Sequence, residues 1–264
     1  MSIVPIRNDN GLNRPTRGTI ARPALVLDAA GEAGAAIVSA LLASGRPVIA
    51  ASHSADALAA LPPAIPGSPD LMKVLGHTQT ETAGAALANA VRLLRRPPGA
   101  VVALLGGELK PGRLLDHGSP FLQQALEDSV FAHLVAARHL LPLLSESALA
   151  AHYLVIGGPA AELPWAGYGH ASIASAALRM FSRALREETQ GGPVRVQQLS
   201  VCAPLRTRQR GHAACPDWPE PNELGLQVVD LLSAPGLEPV VRFERRPARQ
   251  RTGPTPDPLS ETTP

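Results

Sequence analysis

Along the chain, short apolar runs of the length of a buried strand alternate with longer stretches in which apolar positions recur at helical spacing. The runs are Ala24 to Leu27, Pro47 to Ala51, Leu71 to Leu75, Val101 to Leu105, Tyr153 to Ile156, Val194 to Val201 and Val240 to Phe243. Their unbroken hydrophobicity suits strands covered on both faces. The periodic stretches predict helices over Gly34 to Ala43, Thr80 to Arg95, Phe121 to Leu144, Ser172 to Glu188 and Glu223 to Leu232, separated by loops rich in Gly and Pro. Such a βα series with right-handed crossovers folds as an α/β domain, here a doubly wound parallel sheet of seven strands. A ligand is then expected beyond the carboxyl ends of the strands. No internal repeat is visible.

The polar, aperiodic stretch 1–22 and the Pro-, Thr- and Arg-rich stretch 245–264 read as flexible tails, leaving 23–244 as one folded domain. Apolar residues make up 45% of the chain but aromatic ones only 3%, so the core must be built from Ala, Leu, Val and Ile with closely packed helices. A formal charge of +2 does not mark a nucleic-acid binder. Cys202 and Cys215, separated by twelve residues, form neither a Cys-x-x-Cys pair nor a metal-ligand pattern, so neither a disulfide nor a metal site is expected. No signal-peptide or membrane-helix pattern is present, which predicts a cytoplasmic protein without a membrane partner.

The opening segment Ala24-Leu25-Val26-Leu27-Asp28-Ala29-Ala30-Gly31-Glu32-Ala33-Gly34, the long stretch VFAHLVAARHLLPLL over Val130 to Leu144 and ASAALRMFSRALREE over Ala174 to Glu188 follow in a telling order. With Val194-Arg195-Val196 as a sixth strand and Glu223 to Ser233 as a last helix, the chain resembles the short-chain dehydrogenase/reductase family over nearly its whole folded part. The resemblance implies a Rossmann-type domain, an NAD or NADP cofactor, and a Tyr acid/base assisted by Lys, Ser and Asn.

Carried over position by position, the resemblance implies an altered site. The family's Thr-Gly-x-x-x-Gly-x-Gly turn falls on Leu27 to Gly34, so Asp28 and Glu32 stand at two of its glycines, Gly34 keeps the third and Gly31 is additional. Those glycines let backbone approach a pyrophosphate at a helix N-terminus. A Glu32 carboxylate about 4 Å from a phosphate at an effective dielectric near 20 would repel it by roughly 4 kcal/mol. The same carboxylate in a first helical turn also stabilises the helix dipole by about 0.3 to 1 kcal/mol, which needs no ligand at all. Ala51-Ser52-His53 ends the second strand without the family's ribose or 2′-phosphate partner, and His53 is a weak substitute. The adenine-pocket Asp falls on Gly76, and Asn-Asn-Ala-Gly falls on Leu104-Leu105-Gly106-Gly107. Gly31, Gly34 and Gly107 are thus the cofactor-binding candidates, and no cofactor is expected unless the chemistry is retained, in which case it is NAD or NADP.

The family's catalytic Asn, Ser, Tyr and Lys fall on Ser129, Gly158, Ala171 and Ser175. Neither Ala171 nor Ser175 can serve as a proton donor paired with a cation four residues on. Tyr168, three residues upstream, is the possible substitute; the only lysines, Lys73 and Lys110, lie elsewhere, and Arg179 is the cation that would have to reach it.

Other groupings carry less. Tyr168 and His170 with Ser172 or Ser175 form the elements of a hydroxyl nucleophile and base, but Ser and His at a helix start commonly cap it or face water. Gly-x-Ser-x-Gly is absent, and His133 and His139 differ in helical phase. Arg206, Arg208, Arg210 and the stretch Arg242 to Arg251 read as a solvated loop and tail rather than a nucleic-acid surface. The overall expectation is a pseudoenzyme that binds a small ligand or supports a partner. A reductase using Tyr168 is the alternative. A homo- or heterodimer is expected through the long helices, along Ala132, Ala136 and Leu140 with Ala174, Ala177 and Leu178.

Overall fold

A computed structural model of the chain describes residues 21–61, 70–107, 109–147, 149–158, 160–234, 236 and 238–245. The tails expected over 1–22 and 245–264 lie outside the described residues except at Ala21, Arg22 and Arg245. Arg22 donates to Pro98 O at 2.5 Å, and Arg245 pairs with Glu223 at 3.5 Å, so both ends of the described chain are fastened to the domain.

Seven strands, β1 (Ala24–Leu27), β2 (Val48–Ser52), β3 (Leu71–Leu75), β4 (Ala100–Ala103), β5 (Ala151–Gly157), β6 (Val194–Val201) and β7 (Val240–Phe243), pair in parallel in the order β3-β2-β1-β4-β5-β6-β7. The central strands are buried on both faces, which explains why they read as continuous apolar runs rather than alternating ones. Helices α1 (Glu32–Ala43), α2 (Ala55–Ala59) and α7 (Pro221–Ser233) cover one face through Ile37, Leu41, Leu58, Leu224 and Val228. The other face carries α3 (Glu81–Leu93), α4 (Ser119–Leu126), α5 (Ala132–Ser145) and α6 (Gly169–Glu188), with Leu87, Val91, Leu140, Leu143 and Leu178 in its core. Each such buried aliphatic side chain contributes about 1.5 to 3 kcal/mol. No described helix is long and apolar enough to cross a membrane.

Departures from the predicted elements have local causes. Leu104 and Leu105, expected in a strand, leave the sheet after Ala103 and turn toward its carboxyl edge. The helix expected from Ser172 begins at Gly169, because the Ser172 hydroxyl donates back to Tyr168 O at 3.0 Å instead of capping a new start. The single helix expected over Phe121 to Leu144 contains a π-helical turn at Glu127–Phe131, between α4 and α5. The apolar face proposed for dimer contact is also corrected. Ala132, Ala136, Leu140, Ala174 and Leu178 are all buried within the domain's own core, and the outer side of these helices carries Phe131, Leu134, Ile173 and Met180 instead.

Candidate functional site

Strand order reverses direction between β1 and β4, so the loops after these strands diverge and open a crevice at the carboxyl edge. The turn from β1 into α1 forms one wall. Asp28 follows β1 with φ of 53°, a left-handed conformation that Asp tolerates better than most side chains because its short polar group can bond locally. Gly34 is sterically required: a Cβ there would collide with Asp28 O and lie 2.8 Å from the Ala29 backbone. Gly31 is different, since its added Cβ would have only Asp28 atoms nearby, at 3.9 and 4.0 Å. Gly34 therefore serves helix–strand packing, while Gly31, the N-cap of α1, leaves the backbone open.

Glu32 is the first residue of α1, where a carboxylate favours the positive end of the helix dipole. Its two oxygens accept the Arg208 backbone N–H at 2.9 and 3.1 Å, and the exposed Arg208 Nε lies at 4.0 Å. Arg208 opens a 3₁₀ turn, Arg208–Ala213, in the loop after β6. One carboxylate thus meets the N-terminal ends of two helices and ties the β6–α7 loop across the start of α1. In the sequence Glu32 reads as a partner of the helix dipole or a charge that repels phosphate; its actual partner lies 176 positions away and leaves no local signal.

Beside this turn a cleft of about 150 Å³ runs over the ends of β1 to β4, lined by Asp28, His53, Gly76, His77, Thr78, Gly107 and Asp128 among others. Burial pushes the Asp28 carboxyl above its ordinary range, and the nearby His53 pulls it partly back. Thr78 is buried and its hydroxyl has no hydrogen-bond partner among the described residues. Gly107 has no room for a side chain, because an added Cβ would meet the Asp128 carboxylate, with Cγ at 2.9 Å. Gln124 Nε2 donates to Asp128 at 2.8 Å and holds it there. Asp128, His77 and Thr78 were not singled out from the sequence. The π-helical turn, which has no simple sequence signature, presents Asp128 to the cleft.

The four positions assigned by resemblance to the catalytic set lie on the same edge. Ser129 is in the π-helical turn, Gly158 follows β5, and Ala171 and Ser175 are one turn apart on α6. A Cβ on Gly158 would stand 3.7 Å from Ser175 Oγ, so these two positions do face each other. Their side chains carry no titratable group. Tyr168 is the N-cap residue of α6, half-buried, with its ring edge-on to Trp165 at 6.2 Å. His170 is buried among Phe121 and His117, at 4.7 and 5.9 Å between ring centroids, which is a packing role and not that of a base beside a hydroxyl. Arg179 is committed elsewhere: it pairs with Glu162 and donates to Ser200 Oγ at 2.8 Å. Glu162 also pairs with Arg242, which lies in β7 and belongs to the folded sheet rather than to a solvated tail. These two guanidiniums, Arg179 first, hold the Glu162 carboxyl below its usual range. Cys202 and Cys215 are both free thiols.

A seven-stranded parallel sheet in this order, wrapped on both faces and with its crevice at the β1/β4 switch point, is the Rossmann-type fold of the short-chain dehydrogenases/reductases. Solved structures with that fold include a short-chain dehydrogenase from Streptomyces avermitilis, 20% identical, with a TM-score of 0.72 over 84% of this chain and 88% of that one. Serine dehydrogenase from Escherichia coli is 19% identical, with a TM-score of 0.71 over 84% and 96%. An NADPH-bound short-chain oxidoreductase from Pseudomonas aeruginosa PAO1, described as containing an atypical catalytic centre, is 19% identical with a TM-score of 0.75 over 86% and 97%. No protein-family model matches the chain, and a search of curated proteins finds no match.

Proposed function

We propose that this chain is a divergent short-chain dehydrogenase/reductase that has given up hydride transfer and acts as a binding or regulatory subunit. The observation that carries this reading is the Glu32 carboxylate at the start of α1, held by Arg208 N–H where the family resemblance puts a dinucleotide's pyrophosphate. A phosphate entering there would have to displace the β6–α7 loop and face a negative charge. Ala171 and Ser175 supply neither a proton nor the cation that would make one available. Any small ligand belongs in the cleft over β1 to β4, whose polar groups include Asp28, His53, His77, Thr78 and Asp128.

The likeness to an NADPH-bound oxidoreductase with an atypical centre favours one second reading, an NADP- or NAD-dependent reductase with Tyr168 as its acid. Assays of the purified protein with NADPH or NADH and a panel of carbonyl and alcohol substrates separate the two. No turnover above buffer is expected. Steady turnover that Tyr168→Phe abolishes would establish the reductase and overturn the subunit reading.

The same proposal includes a dimer through the outer faces of α5 and α6. Leu134 on α5, Ile173 and Met180 on α6, and Phe131 just before α5 are 49%, 40%, 62% and 49% exposed, large apolar side chains left to water. Light scattering at micromolar concentration is expected to give twice the chain mass, and Leu134→Glu to halve it. A wild-type monomer would count against the dimer.

A further inference from the structure

At the opposite edge of the sheet, below the amino ends of β4, β5 and β6, lies an open groove of about 1090 Å³. Arg22, Arg46, Arg186 and Arg195 all line it, and no carboxylate is among its lining residues. Arg46 sits between α1 and β2, Arg186 on the last turn of α6, and Arg195 in β6, so three separate elements deliver positive charge to one place. Arg22 and Arg46 donate only to carbonyls, Pro98 and Ala150 for the first and Leu232 for the second, and among the described residues neither pairs with a carboxylate. The Arg22 Nε–H is buried and has no hydrogen-bond partner among the described residues. Burial lowers the pKa of both guanidiniums.

His152 adds an independent observation. It stands in β5 directly opposite Arg195, lines the groove, and is only 6% exposed, and among the described residues its hydrogen-bonding neighbour is the Gln197 amide, at less than good hydrogen-bonding geometry. The neighbouring Gln197 amide gives its Nε2 to Glu238 O at 2.7 Å and leaves its own oxygen unpaired. Burial first, then the charges of Arg195, Arg46 and Arg186, hold the imidazole neutral down to a pKa of about 4. A buried imidazole with at most one weak partner, beside three guanidiniums, is under-satisfied, since buried polar groups are nearly always paired.

We propose that this groove binds a phosphorylated small molecule, with Arg46 and Arg195 gripping its phosphate and His152 donating to it. Guanidinium forks match phosphate oxygens. No aromatic ring other than the imidazole lines it, so it offers no stacking platform for a nucleic-acid strand. The site lies at the far end of the sheet from Glu32 and stands or falls independently of the subunit reading.

Inorganic pyrophosphate serves as the probe, followed on the His152 side-chain NMR resonances of the full chain at constant ionic strength. His152→Gln provides the assignment. Saturable shifts are expected, together with a rise of the His152 protonation constant by about tenfold or more, as an anion within reach of an imidazole stabilises its charged form. Arg46→Gln should abolish both effects and Arg46→Lys should retain part of them. Thermal melting of the wild type, which needs no variant, should show stabilisation by pyrophosphate and not by chloride at matched ionic strength. Absence of saturation at 20 mM (roughly the limit of specific binding), an equal response to chloride or to citrate, or an unchanged response in a folded Arg46→Gln would overturn the proposal.

Discussion

Lowering the pH from 7 toward 4 is expected to cost this protein on the order of half its stability. His133 on α5 is fully buried, donates through Nε2 to Leu105 O at 3.2 Å and has no partner for Nδ1. Burial depresses its pKa to about 4, with the Leu105 bond acting weakly in the opposite sense. His152 is depressed to about 4 as well, chiefly by burial. An unfolded imidazole titrates near 6.5, so between pH 6.5 and 4 the unfolded chain binds more protons than the folded one. The contribution of both residues is complete above about 6.5 and is lost as the pH falls through this window. Each is worth about 3 kcal/mol, against a total of roughly 5 to 15 for a domain. Asp28, whose carboxyl is raised by burial, acts in the opposite sense at lower pH, where its protonation favours the fold. Calorimetric melting between pH 7.5 and 4.5 should show Tm dropping by on the order of 10 to 20 °C, most steeply below 6.5. His152→Gln should flatten the fall. A Tm independent of pH over this window would sink the account of these two residues.

Gly34→Ala is expected to destabilise the domain by about 3 kcal/mol or more, and Gly31→Ala by less than about 1. The two glycines lie three residues apart at the start of α1, where the family resemblance retains Gly34 and makes Gly31 an extra. In the structure the Cβ at 34 has nowhere to go, because the atoms in its way are the Asp28 carbonyl and the Ala29 backbone, which cannot rotate aside. At 31 the φ of −67° is open to any residue and the nearest atoms stand at ordinary contact distance. Urea denaturation of the two variants decides it. Equal stability would mean that the turn at Asp28 can move, and the rigidity ascribed to it would be wrong.

The central strands were legible because they are buried on both sides, whereas the half-exposed edge strands β3 and β7 were found from their apolar runs alone. Leu71 to Leu75, Val194 to Val201 and Val240 to Phe243 begin and end where their apolar runs do. Less legible were features set by long-range contact. The five residues of α2 are too few to show a period, and are found only through Ser54 Oγ accepting from Ala57 N–H at 3.2 Å. Ala132, Ala136 and Leu140 form a small apolar stripe that suits a dimer or a core equally well by sequence, and packing of α5 on the sheet selects the core. The helix expected from Ser172 starts at Gly169, which brings Ala171 into α6 and makes Tyr168 its N-cap, and the capture of Arg179 by Glu162 and Ser200 depends on β6 and a loop distant in sequence. The arginine groove was invisible for the same reason. Arg22, Arg46, His152 and Arg195 are scattered along the chain, and only parallel pairing brings the amino ends of their strands together.

In the proposed reading Glu32, anchored to the Arg208 amide, closes the start of α1 to a dinucleotide. Calorimetric titration of the purified protein with NADPH and with NADH tests it most directly. No saturable heat at millimolar cofactor is the expected result for either one. Micromolar binding of either would show that the Asp28 and Glu32 side chains yield to the phosphates, and would return the protein to the working oxidoreductases.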